Sequence, residues 1–151
     1  VLLLQPVLMA LLSPVTGALS DRINPAVLAS SGMILITFGL SCLAINVSLS
    51  SFWLIALALV IIGIGFALFT APNNNAIMGS VAPKYYGAAS SVVSTVRLIG
   101  QVLSVAIITL ILSQSGAAAT STWLAQHIQQ AFIVFTVLCA IGIIPSAARS
   151  K

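Results

Sequence analysis

FWLIALALVIIGIGFALFTA, the stretch from Phe52 to Ala71, decides the fold. It carries no charged side chain, and a helix of this length, rising about 1.5 Å per residue, crosses the ~30 Å hydrocarbon layer of a bilayer. Pro72-Asn73-Asn74-Asn75 follows directly. A proline in a helix removes one backbone donor, so a kink is expected there, with the helix continuing for a few turns.

Outward from this run the same pattern repeats. Apolar runs on the helical period are expected over about residues 1–19, 26–46, 52–72, 88–113 and 131–147. Asn24 and Pro25 can open the second helix as cap and first-turn residue. Ala82-Pro83-Lys84-Tyr85-Tyr86-Gly87 reads as a turn. The stretch from Gln114 to Gln130 reads as a longer polar connection, in which His127 is solvated and has no role.

The composition supports the same class. The chain has 151 residues, 60% hydrophobic and only 4% charged, with a mean hydropathy of +1.23, whereas soluble domains carry about 25% charged residues. The expected fold is therefore all-α, a polytopic membrane helix bundle of about five transmembrane helices held in the lipid bilayer. The net charge of +4 comes from Asp21, Arg22, Lys84, Arg97, Arg149 and Lys151, which are scattered and form no basic patch for nucleic acid. Cys42 and Cys139 lie inside apolar runs without metal-ligand spacing and read as small buried hydrophobes.

Arg22, Lys84, Arg149 and Lys151 fall on one side of this five-span topology, while the connections 47–51 and 114–130 hold no Lys or Arg. Basic loops stay in the cytoplasm, so the loops at 20–25 and 82–87 and the C-terminus are expected inside a multi-pass plasma-membrane protein. Trp53 and Trp123 then sit near the outer interface, and Tyr85 and Tyr86 near the inner one. Val1 lies within an apolar run, without an initiator Met or a basic leader, so the chain is expected to be a fragment of a longer protein.

Three places could carry function. Arg97 lies about ten residues inside the fourth run, and a charge at that depth faces a bundle interior or a watery cavity. At about 100° per residue, Ser90, Ser94, Arg97, Gln101 and Ser104 fall within an arc of about 80°, while Val92, Val96, Ile99 and Leu103 lie elsewhere. This stripe either lines a solute pathway or hydrogen-bonds to a neighbouring helix. Phe66, Phe69, Asn73 and Ile77 share one side of the third run. That face either receives a bulky, mostly apolar ligand or lies against lipid and the inner interface. Gly17, Asp21 and Arg22 belong to the first inner turn, which holds the only carboxylate of the chain. Small residues at Gly63, Ala67 and Ala71, and at Gly87, Ser91 and Thr95, have the spacing of close helix packing. Paired carboxylates, nucleophile–base sets, metal clusters and phosphate loops are absent from the sequence, so neither an enzyme nor a cofactor is expected.

Ser13-Pro14-Val15-Thr16-Gly17-Ala18-Leu19-Ser20-Asp21-Arg22 resembles the inner-loop signature G-x-L-x-D-R of the major facilitator superfamily, with Asn24 and Ala26 where Gly and a basic residue are usual. Gly63-Ile64-Gly65-Phe66-Ala67 through Pro72, then Val81-Ala82-Pro83, Gly87-Ala88-Ala89-Ser90 and Arg97-Leu98-Ile99-Gly100-Gln101, resemble the late spans of the EmrB/QacA-type drug/proton antiporters with fourteen spans. The resemblance covers almost the whole chain. It implies the C-terminal part of a major facilitator fold, with these runs as the last five of twelve core helices. Runs three and four would line the cavity, and runs two and five would face lipid. It also implies efflux of drug-like small molecules by alternating access and proton antiport. No membrane-embedded acid is present, so proton binding would reside in the missing N-terminal bundle, the partner of this half. A passive pore lined by the Arg97 helix and a structural subunit without transport are the alternatives.

Overall fold

The computed structural model describes residues 4–20, 23–47, 51–113 and 121–148. Five α-helices follow one another: α1 (Leu4–Ser20), α2 (Pro25–Asn46), α3 (Phe52–Gly79), α4 (Tyr86–Ser113) and α5 (Ser121–Ala148), with a 3-10 turn over Pro83–Tyr85 ahead of α4. No strand occurs among the described residues. The fold is an all-α membrane helix bundle. Four segments, Pro25–Asn46, Phe52–Gly79, Pro83–Ser113 and Trp123–Ser146, are long and apolar enough to cross a bilayer. The described part of α1 has 17 residues.

Local chemistry sets most of the helix ends. The Asn24 side chain accepts a hydrogen bond from the Ala26 amide at 3.0 Å, and Pro25 takes the first helical position, where its missing N–H costs nothing. At the end of α3 the Ser80 hydroxyl donates to the Ile77 carbonyl at 2.7 Å. Pro83 starts the tight turn, closed by the Tyr85 amide on the Ala82 carbonyl at 2.8 Å.

As expected, helix α3 continues past Pro72, running through Asn73, Asn74 and Asn75 to Gly79, beyond the end of the expected span at residue 72. Pro72 removes only one helical hydrogen bond and is almost fully buried, so packing around its ring holds the helix together across the gap. Helix α5 begins at Ser121 rather than near 131. The expected polar connection contains no Gly or Pro after Gly116, and its Gln residues are good helix formers. His127 is accordingly not a solvated loop residue. It stacks on Trp123 with ring centroids 3.7 Å apart, and its Nδ1 lies 2.9 Å from the Trp123 carbonyl oxygen.

The bundle is built around α2 and α3. Helix α2 packs along α3 and then along α5, α1 packs on α3, and α4 touches α3 and α5 only lightly. The α2–α3 seam is glycine-dependent: a Cβ on Gly32 would meet the Gly65 carbonyl oxygen and the Phe69 amide at 2.7 Å, and one on Gly65 would meet the Gly32 carbonyl oxygen at 2.8 Å. Water exclusion gives little drive between helices in lipid, so close van der Waals approach of this kind is what holds them. Leu43, Ala58 and Ile62 form the buried cluster of the seam, with Leu40, Cys42, Ile55 and Phe132 against it. Cys42 and Cys139 are free, half-buried thiols.

The small-residue sets behave differently. Gly63 and Ala67 are buried, but they project about half a turn away from Ala58, Ile62 and Gly65. Helix α1 is the other close neighbour of α3. Gly87, Ser91 and Thr95 are exposed. The Ser91 and Thr95 hydroxyls turn back onto the Ala88 and Ser91 carbonyls of their own helix. Between α2 and α5, the Ser30 and Ser146 hydroxyls meet at 3.0 Å.

Candidate functional site: the groove between α3 and α4

Because α4 stands off from α3, a groove of about 860 Å³ opens between them. From α3 it takes Phe66, Phe69, Thr70, Asn73, Asn74 and Ile77, one helix face spread over three turns. From α4 it takes Ala88, Ala89, Val92, Val93, Val96 and Arg97. Val81 and Tyr85 of the connecting turn close one end. The Lys84 ammonium lies 4.9 Å from the Tyr85 ring centroid, a cation–π contact beside that end.

The structure thus brings Phe66, Phe69, Asn73 and Ile77 together with Arg97, joining two faces that the sequence presents separately. It does not bring the rest of the polar stripe with them. Ser90, Ser94, Gln101 and Ser104 are absent from the groove wall. On average they project about 140° from Val92 and Val96, and Arg97, within the same stripe, is the member whose side chain reaches the groove. Ser90 and Ser104 donate to the Gly87 and Gln101 carbonyls of their own helix at 3.1 and 2.8 Å. Such back-bonding satisfies a hydroxyl without any partner helix. Gly17 is half-buried in α1, with open space where a Cβ would stand, while Asp21 and Arg22 lie outside the described residues.

Sequence reasoning missed Thr70, Asn74, Val81, Tyr85, Ala88, Ala89, Val92, Val93 and Val96 as groove residues. For those on α4 the only signal is the i, i+4 spacing of small and β-branched residues, which a lipid-facing surface shares. The chemistry of the wall is plain. It is apolar and aromatic, with amides at Asn73 and Asn74, a hydroxyl at Thr70 and a single formal charge, the Arg97 guanidinium. A volume near the upper part of the ~300–1,000 Å³ range of small-molecule sites suits an organic solute with a sizeable apolar body. Neutral or anionic solutes match the charge; a cation would meet Arg97 with no carboxylate on the wall to offset it. Among the described residues no three His, Cys, Asp or Glu side chains come close enough to hold a metal ion.

Comparison with known proteins agrees with this architecture. The chain is 29% identical over 150 residues to the riboflavin transporter RibZ of Clostridioides difficile (strain 630), a match covering 95% of this chain and 33% of that protein. It is 30% identical over 146 residues to the uncharacterized transporter YebQ of Escherichia coli (strain K12), covering 97% of this chain and 31% of that protein. The chain therefore spans about a third of the length of these curated relatives. No solved structure matches it. The profile of the Major Facilitator Superfamily matches residues 1–149, and the chain belongs to that superfamily.

Proposed function

We propose that the protein containing this chain is a membrane transporter that exports amphipathic, largely apolar small molecules, with the α3–α4 groove forming part of the solute path. The observation that carries this reading is the joining of Phe66, Phe69 and Asn73 with Arg97 around one cavity in an otherwise apolar bundle. Aromatic and aliphatic walls take up the body of the solute, the Asn73 amide adds a polar point on the wall, and Arg97 orients a polar or anionic end. A charge inside a span is costly unless it is used, which argues for Arg97 as a working residue. The relative named as a riboflavin transporter suggests flat heteroaromatic solutes with a polar tail as one class to test.

Export is driven, in this reading, by proton antiport at the plasma membrane. Two bundles rock about a site near the midplane. The proton site belongs to a bundle outside this chain, because the one Asp or Glu of the sequence, Asp21, follows directly after the α1 segment at the expected inner turn. The test uses the full-length protein in inside-out vesicles with a panel of fluorescent amphipathic dyes and riboflavin. Energised vesicles should accumulate at least one of them saturably, and an uncoupler should abolish the accumulation. Flux that persists unchanged without the gradient would remove antiport. Single-channel currents would point to a pore along α4 instead.

A further inference from the structure

Phe69 and Asn73 face two cavities. Besides the α3–α4 groove, they line a crevice of about 530 Å³ between the start of α2, the second half of α3 and the end of α5. Both cavities lie at the same end of the bundle, and only these two side chains are common to their walls. The crevice has no charged residue on its wall, which includes Asn24 and Ser146 as well as Met33 and Pro72.

The backbone beneath this partition cannot move aside. Gly32 packs against the Phe69 amide so closely that a Cβ there would stand 2.7 Å away, and Pro72 one turn on is almost fully buried. The Phe69 ring is only half-buried, so it can turn about its side-chain bonds while the helix stays fixed. On the far wall the flexible Met33 side chain reaches toward Gly142 of α5, where its Cε stands 2.7 Å from the site of a Cβ. That wall can reshape around a guest.

We propose that Phe69 and Asn73 form a gate between two chambers of one solute path, and that the α2–α3–α5 crevice is a second binding site for the same amphipathic class. This rests on the groove being a solute path. The crevice takes an uncharged molecule with an aromatic or aliphatic body and one or two hydrogen-bonding groups. Rotation of the Phe69 ring then lets it pass to the groove, where Arg97 meets its polar end. The size of side chain at position 69 sets how fast, and how large, a solute crosses.

The test uses the full-length protein with its native cysteines replaced, carrying Ala76→Cys on the crevice wall and Ala89→Cys on the groove wall. A bis-maleimide with a benzene spacer crosslinks the pair only when it spans both chambers, and mass spectrometry counts the product. Crosslinking should run roughly tenfold faster with Phe69→Ala and several-fold slower with Phe69→Trp, as expected when a ring of this volume is removed or enlarged in a packed wall. Phe69→Leu should fall between, and membrane levels show that each variant is folded. Equal rates in all variants overturn the gate. In a second arm, a bulky maleimide on Ala76→Cys alone should abolish riboflavin flux. Unchanged flux overturns the crevice as part of the path while leaving the groove reading intact. Absence of flux before labelling counts against the transport reading with this solute, and the crosslinking result stands independently of it.

Discussion

Arg97 belongs to the polar stripe of α4 and is the only member of it on the groove wall. Its role can be separated from that of the serines. Arg97→Ala should lower solute flux by about tenfold, the loss expected when a charge-assisted hydrogen bond to a solute is removed. Arg97→Lys should recover part of it for anionic solutes and less for solutes held by the planar fork. Ser90→Ala and Ser94→Ala should leave flux near the wild-type value. A larger loss from the serines than from Arg97 would move the path to the stripe. At the other end of the bundle, Asn46 is buried with an exposure of 5%, and its Oδ1 has no hydrogen-bond partner among the described residues. An unpaired buried acceptor costs stability, and Leu43, Ile55 and Phe132 surround the neighbouring space. Asn46→Leu should therefore raise stability by about 1 kcal/mol, read as a higher midpoint of thermal unfolding in detergent, without changing flux.

The α2–α3 seam depends on glycines where backbones touch. Gly32→Ala places a methyl group 2.7 Å from two backbone atoms of α3, neither of which can turn away as a side chain could. A loss of about 1–3 kcal/mol is expected, seen as lower folded yield and a lower thermal midpoint. Gly17→Ala and Gly87→Ala, with open space at both positions, should be neutral or mildly stabilising. A destabilised Gly17→Ala with a stable Gly32→Ala would show that α2 and α3 do not meet as described. Much of this level was legible in the sequence. Long, predominantly apolar runs mark α2, α3 and α4, and Asn24-Pro25 marks the start of α2. The continuation of α3 was only partly legible, because what holds it past Pro72 is burial of the proline ring by other helices. The first turns of α5 were not, because a Gln-rich stretch without Gly or Pro reads as polar before it reads as helical. For the site, Phe66, Phe69, Asn73 and Arg97 carry local signals of aromatic spacing or a misplaced charge. Val92 and Val96 do not, since a valine on a groove and a valine on lipid look alike until the neighbouring helix is placed.

At the scale of the whole molecule the packing is uneven. Helices α1, α2, α3 and α5 are tied together through α2 and α3, whereas α4 has no buried residue along its length. Helix α4 nevertheless carries Arg97 and more Ser and Thr than any other helix. The chain spans about a third of its relatives' length, and on the proposed transport reading the open side of α4 would meet another bundle of the same protein across a shared solute path. That arrangement requires all five helices to be threaded with the α1–α2 and α3–α4 connections on one side, and the placement of Lys84 and Arg22 argues that this side is the cytoplasm. Single cysteines in a cysteine-free full-length protein decide it. Ser51→Cys, at the start of α3, should react with a membrane-impermeant maleimide added to intact cells. Lys84→Cys, in the exposed turn before α4, should react only after the membrane is opened or in inside-out vesicles. The two-chamber path would then lie at the cytoplasmic end, since the start of α2 and the end of α5 border the crevice. The opposite labelling pattern would invert the bundle, place both chambers toward the outside, and make the same cavities part of an exit rather than of solute capture from the cell.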